Sequence, residues 1–409
     1  MSHTTAAAPA SERLHALDAL RGGALVLGIV LHTAMSFVPV TPRIWFIQDT
    51  HPSLLLGLLT FTIHVFRMTT FFVMAGFFAR MSLHRRGIRG FIRDRLQRIA
   101  LPLVIAWPLL FAPMSLIAIW ASHFPHGGWS RIWPPVLPNF PLTHLWFIYL
   151  LLELYVAMLV LRGALVWLDA SGTRRAVIDR VFARIIRNPL APLVLAIPIC
   201  IAFCLDPQWG HSMEVRTPDR SLITNSQAWI GFGVAFGVGW LLHRQLDLLR
   251  LIERRWFPHL VLALVLILIC FVLAGAMMSA PGAPQLPYSF ATLRLVAAVL
   301  YAATIWMSTF AATGLALRFM SGFSPIRRYL ADASYWLYLI HMPIVMVLQV
   351  ALSQLDWPAL MKFAIILVIA IPSMLASYHL LVRFTFIGVV LNGRRAVKRV
   401  LPQGGIAAA

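Results

Sequence analysis

The composition of this 409-residue chain excludes an ordinary soluble protein. Hydrophobic residues make up 60% of it and charged residues only 12%, whereas soluble domains carry about 25% charged residues. The mean hydropathy is +0.81, and the formal net charge at pH 7 is +20. We therefore interpret the chain as an integral membrane protein, and its positive charge has to be explained within that class.

Long apolar runs predict about ten transmembrane helices. A spanning helix needs roughly 20 predominantly apolar residues, and runs of this kind recur along the whole sequence. The fold class that follows is an all-α integral membrane protein. The predicted spans are residues 17–38, 54–79, 96–120, 144–168, 190–206, 226–243, 257–279, 291–318, 332–352 and 361–383.

The basic residues predict the orientation of these spans. Most of the 34 lysines and arginines lie in alternate loops and near the two ends of the chain, and loops rich in these residues face the cytosol. Both termini are therefore predicted to be cytosolic. Membrane orientation alone accounts for the net charge, so we do not expect the protein to bind nucleic acid.

Three regions follow from this topology. They are a short cytosolic tail at residues 1–16, a transmembrane domain at 17–383 and a basic cytosolic tail at 384–409. The N-terminal stretch has no apolar segment of its own before the first span, so we expect no cleaved signal peptide.

The 3 cysteines lie in apolar spans without metal-like spacing, so we interpret them as packing residues and predict no metal site.

Two ionisable residues share one face of the first span. Arg21 and His32 are separated by about three turns of helix, and charged groups inside a bilayer are costly enough to be functional in many cases. Arg21 also has a structural interpretation, because it lies near the cytosolic interface and can pair with Asp18. His32 can be a hydrogen-bonded core residue, a base for a hydroxyl group or a nucleophile toward a thioester.

Further ionisable residues are predicted at a similar depth. Counting along the spans places His64, Arg67, Glu153 and His341 with His32 within about 6 Å of the bilayer midplane. An unpaired charge at that depth is unfavourable, so we predict an ion pair between Arg67 and Glu153. We expect the histidines to border the same polar cavity.

The basic segment before the third predicted span contains a candidate phosphate site. Most of its arginines are explained by membrane orientation and by contact with anionic lipid. Arg95 and Arg98 share a face where the third helix is predicted to begin, and guanidinium groups beside a helix N-terminus suit phosphates such as those of a coenzyme A ester. Arg93 is added to this candidate set.

The ninth predicted span carries another polar face. Ser334, Tyr338 and His341 lie on one side of this helix and are candidates for contact with a substrate or a cavity, although packing also explains such a face. The aromatic residues between 144 and 155 fit an outer membrane belt. A polar acceptor would meet the outer loops, of which 121–143 and 207–225 are the longest.

Together these motifs resemble the acyltransferase 3 family of membrane acyltransferases. Arg21 and His32 match its Arg-x10-His pattern, Arg95 and Arg98 match its Arg-x-x-Arg pattern, and residues 71–77 match its Phe-Phe-x-x-x-Gly-Phe stretch. The resemblance covers nearly the whole chain. Within the family, the chain is most similar to members that succinylate osmoregulated periplasmic glucans, in the segments 17–18, 27–32, 63–68, 95–98, 144–147 and 333–343.

The resemblance implies a multi-pass O-acyltransferase of the bacterial inner membrane. It implies succinyl-CoA or acetyl-CoA as the cytosolic donor, an extracytoplasmic glycan as the acceptor, no permanently bound cofactor, and separate glycan-handling proteins as partners. We assign site residues accordingly, with catalysis by His32, Arg21 and Asp18, donor binding by Arg93, Arg95 and Arg98, and substrate or cavity contacts by His64, Arg67, Glu153, Ser334, Tyr338 and His341.

Alternatives remain open at this point. A proton-coupled carrier or flippase for a polar or acylated solute would also use ionisable residues at mid-depth, but it needs neither acyl-CoA nor covalent transfer. Within the enzyme interpretation, the sequence distinguishes neither succinyl from acetyl transfer nor a general base from an acyl-histidine intermediate.

Overall fold

The computed structural model describes residues 10–39, 45–125, 127–128, 139–210, 213–277 and 289–393, with side chains from His15 onward. Within these ranges the regular structure is helical, which confirms the prediction of an all-α fold. Much of the predicted outer loop 121–143, including Trp129 to Pro138, and the end of the predicted basic tail lie outside the described residues.

The described part of the chain forms thirteen α-helices, joined by four shorter helical turns. The α-helices are α1 (Ala10–Ala34), α2 (Leu54–Arg95), α3 (Leu101–Ala121), α4 (Trp146–Leu168), α5 (Thr173–Arg187), α6 (Ala191–Leu205), α7 (Ser226–Arg244), α8 (Leu248–Arg254), α9 (Trp256–Met277), α10 (Phe290–Phe319), α11 (Pro325–Ser353), α12 (Ala359–Ser377) and α13 (Phe386–Asn392). The turns are the 3₁₀ segments Met35–Phe37 and Thr143–Leu145 and the π-helical segments Leu96–Ala100 and Tyr378–Val382.

Each of the ten predicted spans lies on one of these helices. By length and hydropathy, seven helical segments of the described chain are able to cross a membrane, or eight if the bent pair α5 and α6 forms one span. One of the seven, Leu54–Ala121, contains two predicted spans. Helix α6 has only 15 residues, about 22 Å at 1.5 Å per residue, which is shorter than the bilayer core. The number of spans and the cytosolic termini stay predictions.

The predicted loop at residues 80–98 is wrong, because this segment is helical. Helix α2 continues to Arg95 and passes through the π-helical turn directly into α3. Its one interruption is Gly87, whose φ of 67° bends the helix, a conformation that glycine adopts without steric cost. Arginine and leucine are good helix formers, so a charged segment outside the lipid can remain helical. Helices α5 and α8 likewise replace parts of predicted loops.

Close helix crossings hold the bundle together. Helix α1 packs against α2, α10 and α11, and α2 packs along α7. A Cβ atom at Gly76 of α2 would overlap the carbonyl of Phe236, and one at Gly239 of α7 would overlap the carbonyl of Val73. Small residues of this kind let membrane helices approach backbone to backbone.

A buried ion pair fixes the segment that follows α1. Lys362 Nζ of α12 lies 2.9 and 2.8 Å from the two carboxylate oxygens of Asp49, and the side chains are 0% and 2% exposed. Asp49 also accepts a hydrogen bond from the backbone N–H of His51, and its own N–H donates to the carbonyl of Ser36. The segment before α2 is thereby attached both to α12 and to the end of the first span.

We expect Lys362→Met to destabilise the protein by about 3 to 5 kcal/mol, because it leaves the Asp49 carboxylate buried without its cation. Denaturant unfolding of the purified protein in detergent measures the change. The double variant with Asp49→Asn should recover part of the loss, and Asp356→Asn, at a carboxylate that is 95% exposed, should have little effect. Wild-type stability of Lys362→Met alone would contradict the prediction.

Candidate active site

A large cavity lies among the helices on the predicted outer side of the bundle. Its volume is about 1390 Å³, and its walls come from α1, α2, α3, α4, α7, α9, α11 and the segments between them. Ala24, Leu25 and Phe71 line its inner end, whereas Pro39 and Thr217 line its outer end. A molecule of sugar size can therefore reach the interior of the bundle from the outer side.

Three histidines meet in the wall of this cavity. The ring centroids of His32 and His341 are 5.2 Å apart, and those of His341 and His144 are 5.1 Å apart. The first two were predicted to border one polar cavity. His144, in the 3₁₀ turn before α4, belongs to segment 144–147 of the family resemblance but was not predicted as a site residue, and the structure adds it to the cluster.

Hydrogen bonds to carbonyl groups fix the orientation of two of these rings. His341 Nδ1 lies 2.6 Å from the carbonyl oxygen of Tyr338, and His144 Nε2 lies 3.1 Å from that of Leu339. Because a carbonyl only accepts, these two nitrogens carry the protons. The Tyr338 hydroxyl donates to the carbonyl of His144 at 2.7 Å. The opposite nitrogens, His341 Nε2 and His144 Nδ1, are left as acceptors.

His32 is held at the outer end of α1 by its backbone and by a stacked ring. Gln349 of α11 donates from Nε2 to the carbonyls of His32 and Thr33, at 2.8 and 3.1 Å. Its Oε1 accepts from Trp45 Nε1 at 3.0 Å, and the Trp45 ring stacks on His32 with centroids 5.5 Å apart. His32 Nδ1 is buried without a hydrogen-bond partner, which leaves Nε2 as the nitrogen that faces the cavity.

The predicted ion pair between Arg67 and Glu153 is wrong. Glu153 accepts a hydrogen bond of 2.7 Å from Thr224, and it does not line the cavity. Arg67 lines the cavity, and its Nε is buried without a partner. The two side chains form no ion pair, and depth alone was the basis of the prediction.

The remaining cavity candidates divide between the wall and the surrounding packing. His64 lies in the wall, one turn before Arg67, with Nε2 3.2 Å from the Glu214 carboxylate. Tyr338 also lines the cavity. Ser334 does not reach it, because this buried hydroxyl donates within α11 to the carbonyl of Ala331 at 2.8 Å.

Arg21 and Asp18 lie below the cavity. Arg21 forms the predicted ion pair with Asp18 at 3.2 Å, and its guanidinium lies 5.3 Å from the ring centre of Phe78. Asp18 also faces Arg328 of α11 at 4.0 Å. The cavity ends at Ala24, about one helical turn before it would reach Arg21.

The backbone at the candidate phosphate site is a continuous helix and not the predicted start of one. Because α2 continues into α3, there is no free helix N-terminus beside Arg95 and Arg98. Instead, the buried carboxylate of Asp94 lies 3.1 Å from Arg98 Nε and 3.8 Å from an Arg95 nitrogen. Arg95 also lies over the rings of Phe91 and Tyr155. Arg93 is exposed.

A cavity between apolar helices with imidazoles in its wall is a site for proton-transfer or acyl-transfer chemistry. Comparison with known families agrees, since the acyltransferase 3 family, described as an acyltransferase domain, matches residues 14–381. The chain belongs to this family of acyltransferases. The resemblance found from the Arg-x10-His and Arg-x-x-Arg patterns is confirmed.

The narrower resemblance is confirmed over part of the chain. Glucans biosynthesis protein C of Shigella dysenteriae serotype 1 (strain Sd197) is 30% identical over 149 residues, which are 34% of this chain and 37% of that protein. Glucans biosynthesis protein C of Escherichia coli O157:H7 (strain EC4115 / EHEC) shows the same identity and coverage. The match thus spans little more than a third of these relatives. No solved structure matches the chain.

We expect a thiol placed in the outer part of the cavity to react from the outer side only. In a variant without Cys200, Cys204 and Cys270, Met35→Cys should be labelled by a membrane-impermeant maleimide added to intact spheroplasts, because Met35 lines the cavity. Arg85→Cys, exposed on the predicted cytosolic side, should be labelled only after permeabilisation. The reverse pattern would contradict both the orientation and the opening of the cavity.

Proposed function

We propose that this protein is a membrane-embedded O-acyltransferase. It moves an acyl group from a cytosolic acyl-CoA to an extracytoplasmic glycan, with a periplasmic glucan as the expected acceptor and the bacterial inner membrane as its location. One observation carries the proposal, namely that His32 of the family pattern lies in the wall of a large cavity beside two other histidines. The printed names of the relatives support a glucan as the acceptor.

The outer mouth of the cavity fits a polyhydroxylated acceptor. Arg216, Thr217, Asp219, Arg220 and Asn225 all line it, and they offer both donors and acceptors to sugar hydroxyl groups. Deeper in the cavity the walls contain aromatic and apolar side chains, including Trp146 and Phe232, whose rings stack at 5.6 Å. Sugars need this combination of polar contacts that fix orientation and an apolar surface for the ring faces.

A line of tyrosines leads from the arginines of the inner side to the histidines. Arg95 lies 4.9 Å from the ring centre of Tyr155, at the inner end of this line. Tyr335 stacks on Tyr338 with centroids 6.4 Å apart, and Tyr338 adjoins His341 at 6.2 Å. The buried hydroxyl of Tyr335 has no partner among the described residues. We assign this line to the path of the acyl-pantetheine arm, with the coenzyme phosphates at Arg95 and Arg98 and with Arg21 at its inner entrance.

His32 acts on the acceptor hydroxyl where the acceptor and the acyl thioester meet in the cavity. Its cavity-facing Nε2 takes the hydroxyl proton as the oxygen attacks the thioester carbonyl, and the proton then passes to the departing thiolate. Direct attack by the imidazole, through an acyl-histidine, uses the same atom and the same access. The stacked Trp45 ring and the Gln349 bonds hold the imidazole in place for either route.

We expect His32→Ala to lower transfer by at least about 100-fold, the lower end of the contribution of a general base. The purified protein in lipid is incubated with labelled succinyl-CoA or acetyl-CoA and a periplasmic glucan extract, and label in carbohydrate is counted. His379→Ala removes an exposed histidine of the π-helical turn after α12 and should leave transfer unchanged. Normal transfer by folded His32→Ala would overturn the mechanism.

We expect the double variant Arg95→Ala/Arg98→Ala to raise the dissociation constant for acyl-CoA at least about tenfold, because charge-assisted hydrogen bonds to the phosphates are lost. Calorimetry with a non-reactive acyl-CoA thioether measures the affinity in detergent. Arg89→Ala removes an exposed charge from the same basic segment and serves as the control. Equal affinity in wild type and double variant would exclude these arginines from donor binding.

A further inference from the structure

Arg67 is a cation without a counter-ion inside the cavity. It lines the cavity wall, and its Nε is buried without a hydrogen-bond partner. No ion pair joins its guanidinium to any residue in the described ranges. A desolvated, unpaired guanidinium is unfavourable, so its place in the fold calls for an explanation.

The carboxylates of the chain do not supply the missing partner. Of the 14 acidic residues, only Glu12 has a side chain outside the described set. Glu12 precedes Gly28, the glycine of α1 beside which Arg67 lies, by about 24 Å along the helix. The predicted partner Glu153 binds Thr224. Of the two cavity-lining carboxylates, Glu214 faces His64 and Asp219 faces Arg220.

The guanidinium instead lies beside the first span, one helical turn from His32. A Cβ atom at Gly28 would overlap Arg67 Nη1, so the glycine provides the space that the guanidinium occupies. Gly28 precedes His32 by four residues, about 6 Å along the axis and on the same face. Arg67 also interacts electrostatically with His32 and His341. The cation is therefore next to the imidazole that acts on the substrate.

The offset of about 6 Å between Gly28 and His32 along α1 fits the geometry of acyl transfer. In the attack, the hydroxyl lies about 2.8 Å from the imidazole nitrogen and about 3 Å from the carbonyl carbon, and the developing oxyanion accepts from a donor at about 2.9 Å. These three contacts follow one another at bent angles. A group that donates to the oxyanion therefore lies roughly 6 to 7 Å from the imidazole nitrogen. The carboxylate of a succinyl group would lie about 4 Å farther, across three more bonds. The rise of about 6 Å between Gly28, beside which the guanidinium lies, and His32 thus suits the oxyanion better than an acyl carboxylate.

We propose that Arg67 is a catalytic residue that stabilises the tetrahedral oxyanion of acyl transfer. This role rests on the proposed function. The hydroxyl oxygen forms a bond to the thioester carbon and gives its proton to His32, and the carbonyl oxygen gains the electron pair and hydrogen-bonds to the guanidinium. As the pair returns, the C–S bond breaks and the thiolate takes the proton from His32. The products are the ester and free thiol, and no further reactant is required.

Arg67→Met tests the role by separating turnover from donor binding. We expect kcat to fall at least about 100-fold with both succinyl-CoA and acetyl-CoA, while the dissociation constant of a non-reactive acyl-CoA thioether stays within twofold of wild type. Arg67→Lys keeps a charge and should recover part of kcat. A loss confined to succinyl-CoA, seen as weaker binding, would assign Arg67 to an acyl carboxylate and overturn the proposal.

Gly28→Ala tests the geometry without removing the charge. The added methyl group displaces the guanidinium, so we expect kcat to fall with unchanged donor affinity. Gly23→Ala is the matched control, because the same change on the same helix meets no atom within 4 Å. Equal kcat for the two alanine variants would contradict the proposed placement.

The failures of the two proposals are distinguishable. If wild type shows no transfer that depends on His32, the proposed function itself fails, and the role of Arg67 fails with it. If wild type shows such transfer and Arg67→Met retains its kcat, only the oxyanion role is overturned. If Arg67→Met loses donor affinity and unfolds at a lower temperature than wild type, Arg67 is structural, and the proposal is again overturned.

Discussion

The side-chain amide of Gln349 joins the three segments on which the site is built. The carbonyls of His32 and Thr33 belong to the last turn of α1, where a helix has no internal donors left for them, and Gln349 donates to both. Its oxygen accepts from Trp45, whose segment is fixed in turn by the buried pair of Asp49 and Lys362. Inside a membrane such groups have no water as a substitute partner. The position of the His32 ring is therefore a consequence of satisfied polar groups behind it.

The cavity is asymmetric along the predicted membrane normal. Its mouth is lined by charged and amide side chains, but Ala24, Leu25 and Phe71 line the inner end. Below that end, Arg21 is engaged with Asp18 and Phe78. A carrier with alternating access also has one closed end, so the shape of the cavity alone fits both classes. Membership of the acyltransferase 3 family decides for the enzyme.

The sequence predicts how deep a residue lies in the membrane. It does not predict which neighbouring helix the side chain faces. The rise of a helix is constant, so residue counting placed His32, His64, Arg67 and His341 at one level, and all four line the cavity. Glu153 lies at that level too but faces Thr224, which only the packing of the helices decides. Trp45 and Gln349 carry no periodic signal, and their roles arise from contacts between residues about 300 positions apart. The helical segment after Ala79 was missed because charge indicates exposure and does not exclude a helix.

Residues of the cavity wall carry buried polar atoms without a hydrogen-bond partner among the described residues. Buried polar groups in folded proteins are nearly always hydrogen-bonded, and Asp49 and Lys362 follow that rule deep among the helices. His341 Nε2 and Arg67 Nε, on two residues that line one cavity, break it. The chain contains a carboxylate at the predicted depth of Arg67, Glu153, yet it accepts a hydrogen bond from Thr224 instead. A cation kept free in this way is preorganised for a charge that appears only during the reaction, when no rearrangement of solvent is needed to meet it.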